Sequence, residues 1–202
     1  MPKIPKPKIE KPKQKTLEEN EKKSETDKTD QKREKITFRD LFLLQLTNIL
    51  SAENQLVEVL PTLVESATTL ELIEGFQNHL EETKHQVDRL NQIFKILDER
   101  PTDEICKAMK GLIDDGNELL KENMLKLNKD SALIAISLRI EHYEMAVYKT
   151  LIDFAKQLSL DEVVTLLQES YKEESHANLI LTQLGEGSLF KAGINKLARD
   201  DV

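Results

Sequence analysis

The sequence predicts an all-α protein, and its composition and periodicity carry that prediction. The 202 residues include only six glycines and six prolines, and aromatic residues make up 4% of the chain. Apolar residues recur at amphipathic helical spacing between about residues 37 and 185. Few turn residues and few aromatics argue against a β-sandwich, a β-barrel or a disulfide scaffold. The single cysteine, Cys106, excludes an internal disulfide and any site built from several cysteines, and it suits a reducing, cytoplasmic location.

Residues 1–36 differ from the rest of the chain in charge and composition. Residues 1–35 carry 11 Lys, one Arg and eight acids, a net +4, so the remainder of this −8 chain carries −12. Four of the six prolines fall within the first 12 residues. We predict a disordered Lys/Pro-rich tail that makes at most a weak, salt-sensitive contact with polyanions. With neither a secretory signal nor an apolar run near the roughly 20 residues of a membrane span, we expect no membrane association.

The first two helices are delimited by capping signals. Thr37, with Asp40 three residues later, predicts the start of a helix that runs to about residue 67, with a kink at Pro61. The string Thr68-x-x-Glu71 reads as a capping box that begins the second helix, which ends before residue 101.

The later helices follow the same logic. Thr102 is predicted to cap a shorter third segment, and the fourth follows Asp130 and ends near residue 158. Ser159-x-x-Glu162 is a second predicted capping box, opening a helix that ends at residue 185. Residues 187–202 are predicted to form a C-terminal tail with one short helix over 189–197.

The layout of these segments predicts the topology. Four long helices form two tightly joined pairs, and a long helical connection separates the pairs. That arrangement is a ferritin-like four-helix bundle, here residues 37–186, with a crossover between the second and third bundle helices.

Several glutamates fall on the apolar faces of these helices. On helical wheels, Glu53, Glu141, Glu144 and Glu174 lie on inward faces of the first, fourth and fifth segments. Buried carboxylates are costly unless they are paired, protonated or bound to metal, and no Lys or Arg occupies a matching inward position. A ligand set that is rich in carboxylate oxygens and poor in histidines suits iron or manganese better than a closed, four-coordinate zinc site. Helical bundles build dinuclear metal sites in this way.

Histidine ligands are less clearly indicated. On the second helix His79 lies near the inward face and Glu82 on its flank. The strings Glu82-x-x-His85 and Glu173-x-x-His176 match a metal-binding pattern, but the wheel turns both of their histidines outward. We therefore prefer His79 over His85 and Glu174 over Glu173.

Five strings along the chain carry a family resemblance: LSAENQL, FQNHLEETKHQVDRL, AMKGLIDDGNELL in the crossover, RIEHYEMAVYKTL and LLQESYKEESHANLILTQL. With them the sequence resembles the YciE/YciF family of ferritin-like, rubrerythrin-like bacterial stress proteins. The resemblance covers about residues 37–185. It implies a dinuclear iron centre held by Glu53, His79, Glu82, Glu141, Glu144 and Glu174, and ferroxidase activity with oxygen or peroxide. It also implies a homodimer. Asn178 stands where the family carries an acid, and His85-Gln86 where a Gly-His or Gly-Gln pair is commoner.

Two other functions are compatible with the sequence. The first is a manganese centre with catalase-like activity, which would use the same ligand types. The second is a helical stress or interaction protein without metal, in which the inward carboxylates face a partner.

Overall fold

A computed structural model describes residues 35–188 and 191–200, and in this part of the chain all regular elements are helices. The predicted disordered tail lies outside the described residues up to position 34. Six helices follow in order: α1 Phe38–Ser66, α2 Leu70–Ile96, α3 Lys107–Leu119, α4 Lys126–Gln157, α5 Asp161–Glu186 and α6 Ile194–Asp200. None of the helices in these ranges has the length and apolar character needed to cross a membrane.

The four long helices form the ferritin-like bundle that the sequence predicts. Helix α1 packs on α2, α4 packs on α5, and contacts of α2 with α5 and of α1 with α4 close the bundle. The short helix α3 lies in the crossover and contacts α1 and α4. The bundle core consists mainly of Leu and Ile side chains with a few aromatics, and one inward stripe on each long helix supplies it.

The start of α1 confirms the predicted capping signal. The Asp40 amide donates to Thr37 Oγ1 at 3.1 Å, and the Thr37 amide donates to Asp40 Oδ2 at 2.7 Å. This reciprocal pair satisfies two of the backbone donors that a helix N-terminus leaves free. Pro61 lies inside α1, which continues to Ser66.

The capping box predicted at Thr68 is wrong, because a distant carboxylate binds this threonine. Helix α2 begins at Leu70 after Thr69. Asp130 accepts hydrogen bonds from the Thr68 amide (2.8 Å), the Thr68 hydroxyl (2.9 Å) and the Thr69 amide (2.9 Å). Asp130 is fully buried and lies in the second turn of α4, so the bonds tie the α1–α2 turn to the far pair of helices. Its predicted role as the residue before α4 is also wrong.

The caps predicted at Ser159 and Thr102 are wrong as well. Ser159 adopts a left-handed backbone conformation (φ 56°), and α5 follows Leu160. Helix α3 begins only after Cys106, whose Sγ accepts a hydrogen bond from the Met109 amide at 3.4 Å. At both positions the helix begins later than the local signal predicts.

The segment predicted as a C-terminal tail includes helix α6, which packs on α4 and α5. Its Ile194 side chain is buried in the bundle core. The turn before it needs glycine: Gly187 has φ 89°, and a Cβ there would lie 2.3 Å from the Gly193 nitrogen. The Lys191 ammonium pairs with the Glu71 carboxylate of α2 across this end of the bundle.

Candidate metal centre

A cluster of ionisable side chains lies in the middle of the bundle core. Helix α1 supplies Glu53, α2 supplies His79, α4 supplies Glu141 and Glu144, and α5 supplies Glu174. The four glutamates are at most 1% exposed, and His79 is 8% exposed. Each residue occupies the inward stripe of its helix, so the same periodicity that builds the apolar core directs these polar groups inward.

The structure brings four of the predicted site residues into a tight group. One ligand atom from each of His79, Glu141, Glu144 and Glu174 lies within 4.8 Å of the others. His79 Nε2 lies 3.3 Å from Glu141 Oε1. We call these four residues, together with Glu53, the carboxylate cage.

Glu53 completes the cage from helix α1. The Tyr148 hydroxyl, fully buried on α4, donates to Glu53 Oε1 at 2.5 Å. The other oxygen of Glu53 is buried and has no hydrogen-bond partner. Tyr148 therefore fixes one oxygen of this carboxylate and leaves the second free to bind a ligand.

Glu82, the sixth predicted ligand, lies at the rim. Its side chain is 37% exposed, and its Oε2 atom is 3.9 Å from Nδ1 of His79. His85 and His176 are exposed, as the helical wheels predict. Asn178 is half-buried, and its Oδ1 has no hydrogen-bond partner.

Burial and mutual repulsion disturb the ionisation of the cage. Burial, and then the nearby Glu174 carboxylate, raise the pKa of Glu53 to about 8. Burial is also the main reason that the pKa values of Glu141 and Glu144 lie well above the usual range. Burial alone would lower the pKa of His79, but the adjacent carboxylates, Glu141 first, raise it to about 10. The cage therefore retains protons at neutral pH when nothing else compensates its charge.

Most polar atoms of the cage have no hydrogen-bond partner. These atoms are one oxygen of Glu53, one of Glu141, both of Glu144, one of Glu174 and both ring nitrogens of His79. No Lys or Arg of the described ranges forms an ion pair with a cage carboxylate. Buried acceptors normally find a donor or a cation, so this group of convergent lone pairs fits metal ions. Its four carboxylates and single imidazole match the ligand preference of iron and manganese.

A second layer of side chains, which sequence reasoning missed, orients Glu174. Gln86 is fully buried on α2 and donates from Nε2 to Glu174 Oε1, and to Glu173 Oε2 at 3.1 Å. Arg89 donates to Glu173 and, at 2.7 Å, to Ser170 Oγ. The signal for Gln86 was its position seven residues after His79 on the same inward stripe. Nothing local in the sequence indicated that Arg89 pairs with α5.

Comparison with known proteins adds family information to this geometry. Residues 37–194 match the protein family described as a domain of unknown function, DUF892. Protein YciF of Escherichia coli strain K12 is 35% identical over 161 residues, which cover 79% of this chain and 97% of YciF.

Solved structures of similar proteins share the helical fold. The crystal structure of the E. coli stress protein YciF superposes with a TM-score of 0.72, covering 74% of this chain and 95% of that one. YcfI from Rhodopseudomonas palustris, 40% identical, gives a TM-score of 0.72 with 75% and 96% coverage. A protein from Xanthomonas campestris pv. campestris, only 16% identical, shares the fold at a TM-score of 0.63, with 82% and 100% coverage.

Proposed function

The chain belongs to the DUF892 family and is 35% identical to YciF, and we propose that it is a dinuclear-metal protein that oxidises Fe(II) with oxygen or peroxide. One observation carries this proposal. Four buried ligand groups lie within 4.8 Å of one another, and most of their lone pairs have no partner. A cage of this composition is suited to holding cations rather than to stabilising the fold by itself.

Glu53, His79, Glu141, Glu144 and Glu174 would hold two iron ions. When bound, the two Fe(II) ions supply the electrons that reduce oxygen or peroxide. Two contacts position the ligand groups within the cage. The His79 ring lies against Glu141, and the Tyr148 hydroxyl holds one oxygen of Glu53. Four carboxylates supply four negative charges, which match two divalent cations.

The cage residues also manage protons. Because the pKa values of Glu141 and Glu144 are raised by burial, these carboxyls hold protons until cations replace them. Tyr148 keeps its hydroxyl proton, since burial raises its pKa well above the usual range, and it continues to donate to Glu53. Gln86 donates a hydrogen bond to the Glu174 carboxylate and so holds it on the α2 side of the cage.

Metal analysis tests the proposal. Protein produced in iron-replete medium should contain about two iron ions per chain, and Glu144→Ala should lose most of them. Asp153→Ala, at an exposed position of the same helix, is the matched control and should keep its metal. Iron and manganese both near zero in the wild type, with no change in Glu144→Ala, would refute the proposal.

The two alternatives give different results in the same experiment. Manganese in place of iron, with peroxide disproportionation instead of Fe(II) oxidation, would favour catalase-like activity. A metal-free chain that Glu53→Leu stabilises would favour an interaction protein without an enzymatic role, because an apolar residue would then suit the position better than the acid.

A further inference from the structure

A cavity connects one side of the cage with the protein surface. The cavity has a volume of about 330 Å³ and lies among α2, α4 and α5. Of the cage residues, His79 and Glu141 line it, whereas Glu53, Glu144 and Glu174 do not. The cavity therefore reaches the half of the cage that contains the imidazole.

Side chains of the types that can bind metal ions line this cavity from its mouth to its floor. His85 and His176 are exposed at the mouth, and the Glu82 side chain is 37% exposed. At the floor, the side chains of His79 and Glu141 are 9% and 1% exposed. Glu82 Oε2 is 3.9 Å from His79 Nδ1, and Glu141 Oε1 is 3.3 Å from Nε2 of the same ring. Consecutive ligand groups thus lead from solvent to the cage.

We propose that this cavity is the route by which divalent cations enter the cage, and that Glu82 passes them from the histidine-lined mouth to His79 and Glu141. The inference rests on the proposed metal-binding function. His85 and His176, which the helical wheels turn away from the inward faces, then have a role at the mouth of the cavity, outside the cage. Glu82 is then a transfer residue at the rim rather than a resident ligand.

A larger cavity, of about 810 Å³, provides a useful contrast. It lies between α1 and the crossover that includes α3, and no cage residue lines it. Its size makes it a candidate for ligand binding, but a cation inside it would touch no cage residue.

Gly75 gives a direct way to obstruct the proposed route. It lines the cavity, and a Cβ placed on it would meet no atom within 4 Å, so there is open space at this position for a larger side chain. Gly111 is the matched control. It is also a helical glycine whose Cβ would meet nothing within 4 Å, but it lies in α3, away from this cavity. Both substitutions gain the same helix propensity.

The experiment measures the rate at which metal-free protein takes up cobalt(II), followed by stopped-flow absorbance, together with the final cobalt content. We expect Gly75→Leu to bind cobalt several-fold more slowly than wild type and to reach the same content, while Gly111→Leu matches wild type in both. Thermal melting verifies that each variant is folded. Equal uptake rates for Gly75→Leu and Gly111→Leu would overturn the proposed route.

Glu82→Gln provides a second, independent test that does not fill the cavity. Removing a negative charge from a cleft should lower the uptake rate about ten-fold, with the final cobalt content unchanged. Lower final content would show that Glu82 is a resident ligand and would overturn its transfer role. If wild-type protein binds no cobalt at all, the proposed function itself fails. A wild type that binds cobalt, with uptake unaffected by Gly75→Leu, refutes only the route.

Discussion

Replacing Glu53 by Gln should stabilise the metal-free protein and weaken its response to metal. Glu53 is fully buried, and one of its oxygens has no partner. Glutamine has the same shape, and its oxygen can still accept the hydrogen bond from Tyr148. Its amide group can donate toward the neighbouring carboxylates without taking up a proton, whereas Glu53 must hold a proton to stop repelling them.

The size of this effect follows from the pKa of Glu53. Burial and the Glu174 carboxylate raise that pKa from 4.5 to about 8, so at pH 7 the folded state must hold a proton that the unfolded state releases. The difference corresponds to about 3 kcal/mol of unfolding free energy at pH 7, as an upper value because the neighbouring acids can relax. For a chain of this size the melting temperature should rise by about 6–12 °C.

The measurement is urea denaturation and thermal melting at pH 7, in EDTA and then with added Mn²⁺ or Fe²⁺ under argon. We expect Glu53→Gln to be more stable than wild type in EDTA and to gain less from the metal. Glu58→Gln, at an exposed position of the same helix, should behave as wild type in both conditions. A less stable Glu53→Gln in EDTA would refute the electrostatic reasoning, and an undiminished gain from metal would remove Glu53 from the ligand set.

Three further predictions follow from the described contacts. In EDTA the melting temperature should fall as the pH rises from about 6 to about 9. The raised pKa of Glu53 lowers the free energy of unfolding as the pH rises from 4.5 to about 8, and the raised pKa of His79 lowers it as the pH rises from 6.5 to about 10. A flat profile would contradict this. Asp130→Ala should lose about 3 kcal/mol in urea denaturation, because the Thr68 and Thr69 amides and the Thr68 hydroxyl lose their buried acceptor, and Asp130→Asn should recover part of the loss. Gln86→Ala should lower metal affinity about 10–100-fold at unchanged stoichiometry by calorimetry, and equal affinity would exclude an orienting role.

Helical periodicity was enough to predict the fold class and the inward direction of the cage glutamates. Each long helix has a single apolar stripe, and an inward angle on a helical wheel needs only local sequence. The wheel also separated His79 from the outward His85, although text matching favoured the latter. The structure places Glu53, Glu141, Glu144 and Glu174 on facing helices at one level of the bundle. A wheel has no information about that level, because it projects each helix along its axis.

Long-range side-chain contacts were beyond this reasoning. Gln86 and Glu174 are 88 residues apart, and Arg89 and Ser170 are 81 residues apart, so their pairing depends on how α2 and α5 align. Thr68 shows the same limit in reverse. Its local signal for a helix cap was sound, but Asp130, 62 residues away, binds its hydroxyl and amide. Tertiary contacts decided the helix start there.

Helix α4 combines features that are distributed among several elements in many proteins. Its 32 residues carry the Asp130 link to the α1–α2 turn, two cage carboxylates and the Tyr148 hydroxyl, and they support α5 and α6. Substitutions on its inward stripe therefore affect folding and the cage together. In a saturation mutagenesis screen, we expect α4 to tolerate the fewest replacements, and variants that change metal uptake at normal abundance to map to the cavity mouth on α2 and α5.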